Sequence, residues 1–186
     1  MPSGVQAYRK SRFTEVNVEF KLKTISKAGI PEAISKAELY RSLNEPEEAE
    51  SICRDILAVE PEHQLALRLL GLAITDQFSG HAEDRHAEAE QLFQRLAERY
   101  ERLYYTGLLH ERRAKAQMRV GRPPHALAPL FAEAMRCFAE AEMIRPPEND
   151  DALLRWNRCA RLLQSHPGFH EEKESEAFEA FDSSPI

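Results

Sequence analysis

Glycine is scarce in this chain, with seven in 186 residues, and that scarcity argues against the turn-rich architectures of all-β folds. Cysteine is scarcer still. Cys53, Cys137 and Cys159 lie far apart with no Cys-x-x-Cys pair, which excludes a disulfide framework and the common zinc sites. Their odd number fits a reducing compartment, where a buried thiol acts as a small hydrophobe. No apolar run approaches the roughly 20 residues of a membrane span, and no leader-type apolar segment follows Met1. A cytoplasmic protein without a membrane partner is the expectation. Also missing are the phosphate-binding Gly-rich loop, the dinucleotide turn and the nucleophile elbow, so no catalytic residue or cofactor is assigned and an enzyme is not expected. A net charge of −6 argues against nucleic acid as a partner.

What is present is helix-forming sequence rich in Ala, Leu, Glu and Arg, with 42% apolar and 30% charged residues. Residues 1–29 read as an N-terminal arm. Within it Val16, Val18, Phe20 and Leu22 alternate with polar residues at the period of a half-buried strand. No second segment offers that strand a partner, which leaves an arm laid on the helices or an edge offered to another chain. From residue 30 the period becomes helical. The pattern predicts helices over 31–43, 47–59, 64–78, a long fourth ending near 99, 104–120, one opening near Pro129, and a seventh from Asp151 to Gln164. Residues 166–186 form an acidic tail carrying Phe169, Phe178 and Phe181.

The helices recur as similar pairs. Ala37, Tyr40, Ala49, Cys53, Ile56 and Pro61 carry the small, large and closing positions of a first pair. Leu67, Leu70, Gly71, Ile74, Ala89, Phe93 and Leu96 repeat them, followed by Ala114, Gly121, Ala134, Phe138, Ala141 and Pro146. Leu153, Trp156 and Ala160 mark a terminal helix. This pattern resembles the tetratricopeptide repeat superfamily, and the chain is similar to a bacterial branch of it, over residues 30–164. The resemblance implies an all-α, right-handed solenoid of about three antiparallel helix pairs plus a C-terminal capping helix, occupying residues 30–165. It also implies a protein-interaction module, an adaptor or scaffold. Such proteins bind peptides in a groove lined by the first helix of each pair. Here that face carries Ile34, Glu38 and Arg41, then Arg68, Leu72 and Thr75, then Glu111, Lys115 and Met118, then Leu154, Arg158 and Arg161. The Lys/Asn/Asn/Lys/Arg clamp of the chaperone-binding branch is absent, since Ile34, Glu38 and Leu69 take its first three positions. The groove becomes more basic toward Arg155, Arg158 and Arg161, which suits an acidic or C-terminal peptide.

Two alternatives stand beside this reading. The distance between the small residues of a pair grows from Ala37–Ala49 to Gly71–Ala89 and Ala114–Ala134. Extended turns on one edge of the stack would explain the growth and would offer a second binding face. His81, His86 and His125 fall in those insertions, and His81 and His86 with Glu83 or Asp84 form a candidate divalent-metal set. The spacing of Glu83 to His86 and of Glu60 to His63 matches that of di-iron bundles, but neither pair sits inside a long helix. Self-association into a dimer or filament through the alternating Val16–Leu22 segment is the other alternative.

Overall fold

A computed structural model describes residues 20–81 and 84–169. Val16 and Val18, Ala82 and Glu83, and Phe178 and Phe181 of the tail lie outside the described residues. Among those described, the fold is all-α: seven α-helices and two short 3-10 turns, with no strand. Residues 20–26 have no regular structure, and Phe20 and Leu22 are each 87% exposed, so this half of the alternating segment is not laid on the helices. Among the described residues Ile25 is the first packed against the core.

The helices are α1 (Ile30–Ser42), α2 (Pro46–Val59), α3 (Gln64–Asp76), α4 (His86–Gln94), α5 (Arg99–Arg119), α6 (Pro124–Met143) and α7 (Asp151–Ser165). Prolines open α2 and α6 at the first helical position, where the missing N–H is not needed. Asn44, at φ 61°, closes α1 in the left-handed conformation. Asn149 rather than either following aspartate caps the approach to α7, accepting the Asp151 backbone N–H at 3.0 Å.

Three boundaries differ from the sequence pattern, each for a visible reason. The fourth helix is short. Arg102 donates to the carbonyls of Leu96 (2.6 Å) and Ala97 (2.7 Å), and Gln64 accepts the Ala97 N–H at 2.7 Å. The chain therefore turns there, and Leu96 enters the core from a turn. Helix α5 consequently begins five residues before the expected Tyr104. Helix α6 runs straight through Pro129. That proline is exposed and costs about 3 kcal/mol in a helix interior, while the stripe Leu127, Phe131, Ala134, Phe138 and Ala141 is fully buried.

Each helix packs on the next, and α1, α3, α5 and α7 also touch in succession to form one layer. Helices α2, α4 and α6 each pack against the two odd-numbered helices that flank them in sequence. Ion pairs between corresponding helices recur at 33 to 36 residues: Glu62–Arg95, Arg68–Glu101, Arg54–Glu88, Arg41–Asp76, Glu50–Arg85 and Asp76–Arg112. Between residues 41 and 112 this polar period is compatible with a repeat-like arrangement of helix pairs, while the next pair, Glu111–Arg155, departs from it. Gly71 lies so close to Phe93 that a Cβ would stand 2.4 Å from the ring, and Gly107 stands in the same relation to Phe138 at 2.7 Å. Gly107 is thus a close-approach residue of the third pair, and Ala114 is fully buried on the same helix.

Candidate functional site

The groove residues lie on the odd-numbered layer, but most are engaged within it. Arg41 donates from Nε to Asp76 at 2.8 Å, and Arg112 donates to the other Asp76 oxygen and, at 2.6 Å, to the Thr75 hydroxyl. One carboxylate thereby joins α1, α3 and α5. Arg68 donates to Glu101 at 2.9 Å, a second link from α3 to α5. Leu72 and Thr75 are buried, and Met118 packs partly against the core.

Glu111 is the sharpest departure from a solvent-lined groove, with an exposure of 0%. Lys115 donates to its Oε1, while Arg155 on α7 stands 3.6 Å from Oε2, which accepts no hydrogen bond. A buried carboxylate between two cations ties α7 onto α5; removing either cation would expose it to a large desolvation cost. Four predicted residues stay open: Glu38 on α1, and Leu154, Arg158 and Arg161 on α7. Neither arginine makes an ion pair among the described residues, and Leu154, 59% exposed, lies one turn before Arg158 on the same face.

A cleft of about 310 Å³ opens at the end of this layer, among α3, the start of α5 and the α6–α7 connection. Tyr100, Tyr104 and Tyr105 line it. Tyr104 meets Tyr105 edge-on at 5.0 Å and Tyr100 nearly parallel at 5.9 Å, and Tyr105 stacks on the buried Phe93 at 5.4 Å. The Tyr100 hydroxyl donates to Asn149 Oδ1 at 3.0 Å. Burial, reinforced by the nearby Asp151 carboxylate, pushes the Tyr100 phenol up to about 12. Sequence reasoning missed this cleft, although three of the chain's five tyrosines fall within six residues. Placing the helix start at Tyr104 hid the fact that Tyr100 and Tyr104 share one helical face.

The two insertions have different structures. In the second pair the extra residues form the α3–α4 connection, which is pinned down. Glu50 on α2 accepts from Arg85 (2.6 Å twice), Gln77 (2.8 Å) and Arg54 (2.8 Å). Hydrogen bonds from Arg85 hold its carboxyl at about 2, well below the usual range. Gly80, at φ 89°, brings the loop against α5, where a Cβ would stand 2.4 Å from the Ala116 carbonyl. In the third pair the connection is only Val120–Pro123 in length; the extra residues lengthen α5 and α6 instead. A shared edge of extended turns is therefore not what the insertions build.

His81 and His86 do line one small cleft with Asp84, but Arg113 and Arg122 line it too, and their charge opposes a metal cation. The Asp84 carboxylate is occupied by the Ser79 N–H and hydroxyl (2.8 Å each) and the Gly80 N–H (2.7 Å). His125 lies on α6 and does not line this cleft. Among the described residues no group of three or more potential ligands is placed to hold a metal ion. Nor is any helix among them long and apolar enough to cross a membrane. Cys53, Cys137 and Cys159 are all buried, and burial pushes their thiols up to about 12, 11 and 12. No protein-family model, no curated protein and no solved structure matches this chain, so its functional reading rests on its own residues.

Proposed function

We propose that the chain is a protein-interaction module built as a right-handed tetratricopeptide-type solenoid, and that it binds an acidic peptide segment on α7. The polar period of 33 to 36 residues supports the repeat reading, since such repeats are about 34 residues long. So does the direct contact between successive odd-numbered helices, the spacing expected of the groove side.

The observation that carries the binding reading is the distribution of free charge. Arg41, Arg68, Arg112 and Arg155 are matched by carboxylates of neighbouring helices, and Lys115 by Glu111 one turn earlier on its own helix. Arg158 and Arg161 are exposed, unmatched among the described residues, three residues apart and adjacent to the exposed Leu154. A pair of guanidinium groups beside an apolar contact suits a short segment with carboxylates and one apolar anchor. The inert, buried thiols agree with a binder rather than a thiol catalyst. The test is a peptide array of acidic and C-terminal sequences. The parent should retain acidic members with an affinity that falls as salt rises, and Arg158→Glu with Arg161→Glu should lose them. Equal capture by parent and variant refutes the reading.

A further inference from the structure

We infer that the tyrosine cleft is a second binding site, distinct from α7's arginine pair, and that it takes a cationic guanidinium group, the side chain of an arginine in a partner peptide. Its walls are aromatic and its charge is negative. Glu98, Glu101 and Asp151 line it against a single cation, Arg68. That cation is already held by Glu101 at 2.9 Å. Among the described residues Glu98 and Asp151 make no ion pair, so two carboxylates at the mouth lack a counter-charge there. The N-termini of α5 and α7 also open here, and each contributes roughly half a positive charge. Together they offset about one of the two free carboxylates, and the cleft stays net negative.

The rings decide which cation. A phenol face attracts a cation within about 6 Å of its centroid, and a guanidinium gains most because it is planar and weakly hydrated. Tyr100, Tyr104 and Tyr105 are held in place by their mutual contacts and by the Tyr100–Asn149 hydrogen bond, so little order is lost on binding. A volume of about 310 Å³ admits one side chain of arginine size and excludes a folded segment. A carboxylate-bearing ligand would meet Glu98 and Asp151, so the acidic segment proposed for α7 is not the occupant.

The experiment is a titration of the full chain with a capped Ala-Arg-Ala peptide, followed by nuclear magnetic resonance of the tyrosine ring protons. Capped Ala-Lys-Ala and Ala-Glu-Ala serve as comparisons. Saturable shifts at Tyr100, Tyr104 and Tyr105 are expected with the arginine peptide, with a dissociation constant in the millimolar range, on the order of 1 mM. Binding should weaken at least about fivefold in Glu98→Gln with Asp151→Asn, both surface positions, and in Tyr100→Leu, but not in Tyr100→Phe, which keeps the ring. The Arg158→Glu/Arg161→Glu variant should bind the arginine peptide as the parent does, which separates this site from the α7 reading. An absent or non-saturating shift, an equal response to the glutamate peptide, or unchanged affinity in the charge-neutralised variant overturns the inference. Lysine binding as tight as arginine overturns the guanidinium assignment.

Discussion

Gly71→Ala offers a direct test of how the helix pairs are packed. On an isolated helix this change stabilises by about 1 kcal/mol, because alanine is the better helix former. Here the added methyl would lie 2.4 Å from Phe93 Cε1 and 2.8 Å from Cζ. Phe93 is fully buried, and its other face rests on Tyr105 at 5.4 Å. The ring cannot swing into solvent, so α3 and α4 must separate. Overpacking costs about 1–3 kcal/mol, and a 2.4 Å approach to a ring that cannot move places this case at about 2–3 kcal/mol, which outweighs the propensity gain. A net loss of about 1–2 kcal/mol lowers the melting temperature by roughly 2–8 °C in a chain of this size. Thermal unfolding followed by circular dichroism measures it. Gly29→Ala is the control: its Cβ would meet only Ser26 Oγ, at 3.4 Å, and stability should hold or rise. Phe93→Leu makes room for the methyl, so the double variant should be less destabilised than the sum of the singles by about 1 kcal/mol. A Gly71→Ala variant as stable as the parent, or additive double-variant energies, would refute the close-approach argument.

Two further outcomes follow from the ionisable groups. Glu50 titrates at about 2 instead of 4.5, so its contribution to stability is present above pH 4.5 and is lost as the pH falls toward 2. Glu50→Gln should therefore cost about 1–2 kcal/mol at neutral pH, and urea unfolding should show its gap to the parent closing below pH 4.5; a gap independent of pH would contradict the network. The thiols of Cys53, Cys137 and Cys159, pushed up to between about 11 and 12, should react with an aromatic disulfide reagent at pH 8 at least about a hundredfold more slowly in the folded chain than in urea. Fast labelling of the native chain would show that one of them is reachable and ionised.

The sequence by itself determined the helices of the first half and the paired pattern. Prolines 31, 46 and 61, the apolar period and the small residues Ala37, Ala49, Gly71 and Ala89 are local signals, and local signals survive without a fold. The early break before Tyr100 and the passage of α6 through Pro129 were not legible. Each depends on distant partners: Arg102 and Gln64 take the backbone groups that would continue α4, and the burial of Phe131 and Phe138 outweighs one lost hydrogen bond. The groove residues were legible as a face but not as a free surface. Whether Arg41 or Arg155 has charge left for a ligand depends on Asp76 and Glu111, which helix stacking brings beside them from a separate helix. The tyrosine cleft likewise exists only where α3, α5 and the α6–α7 connection converge. Chain periodicity sets which residues share a helix face; tertiary packing sets whether Arg41, Arg68, Arg112 and Arg155 are matched, because each of these pairings joins residues more than thirty positions apart on different helices.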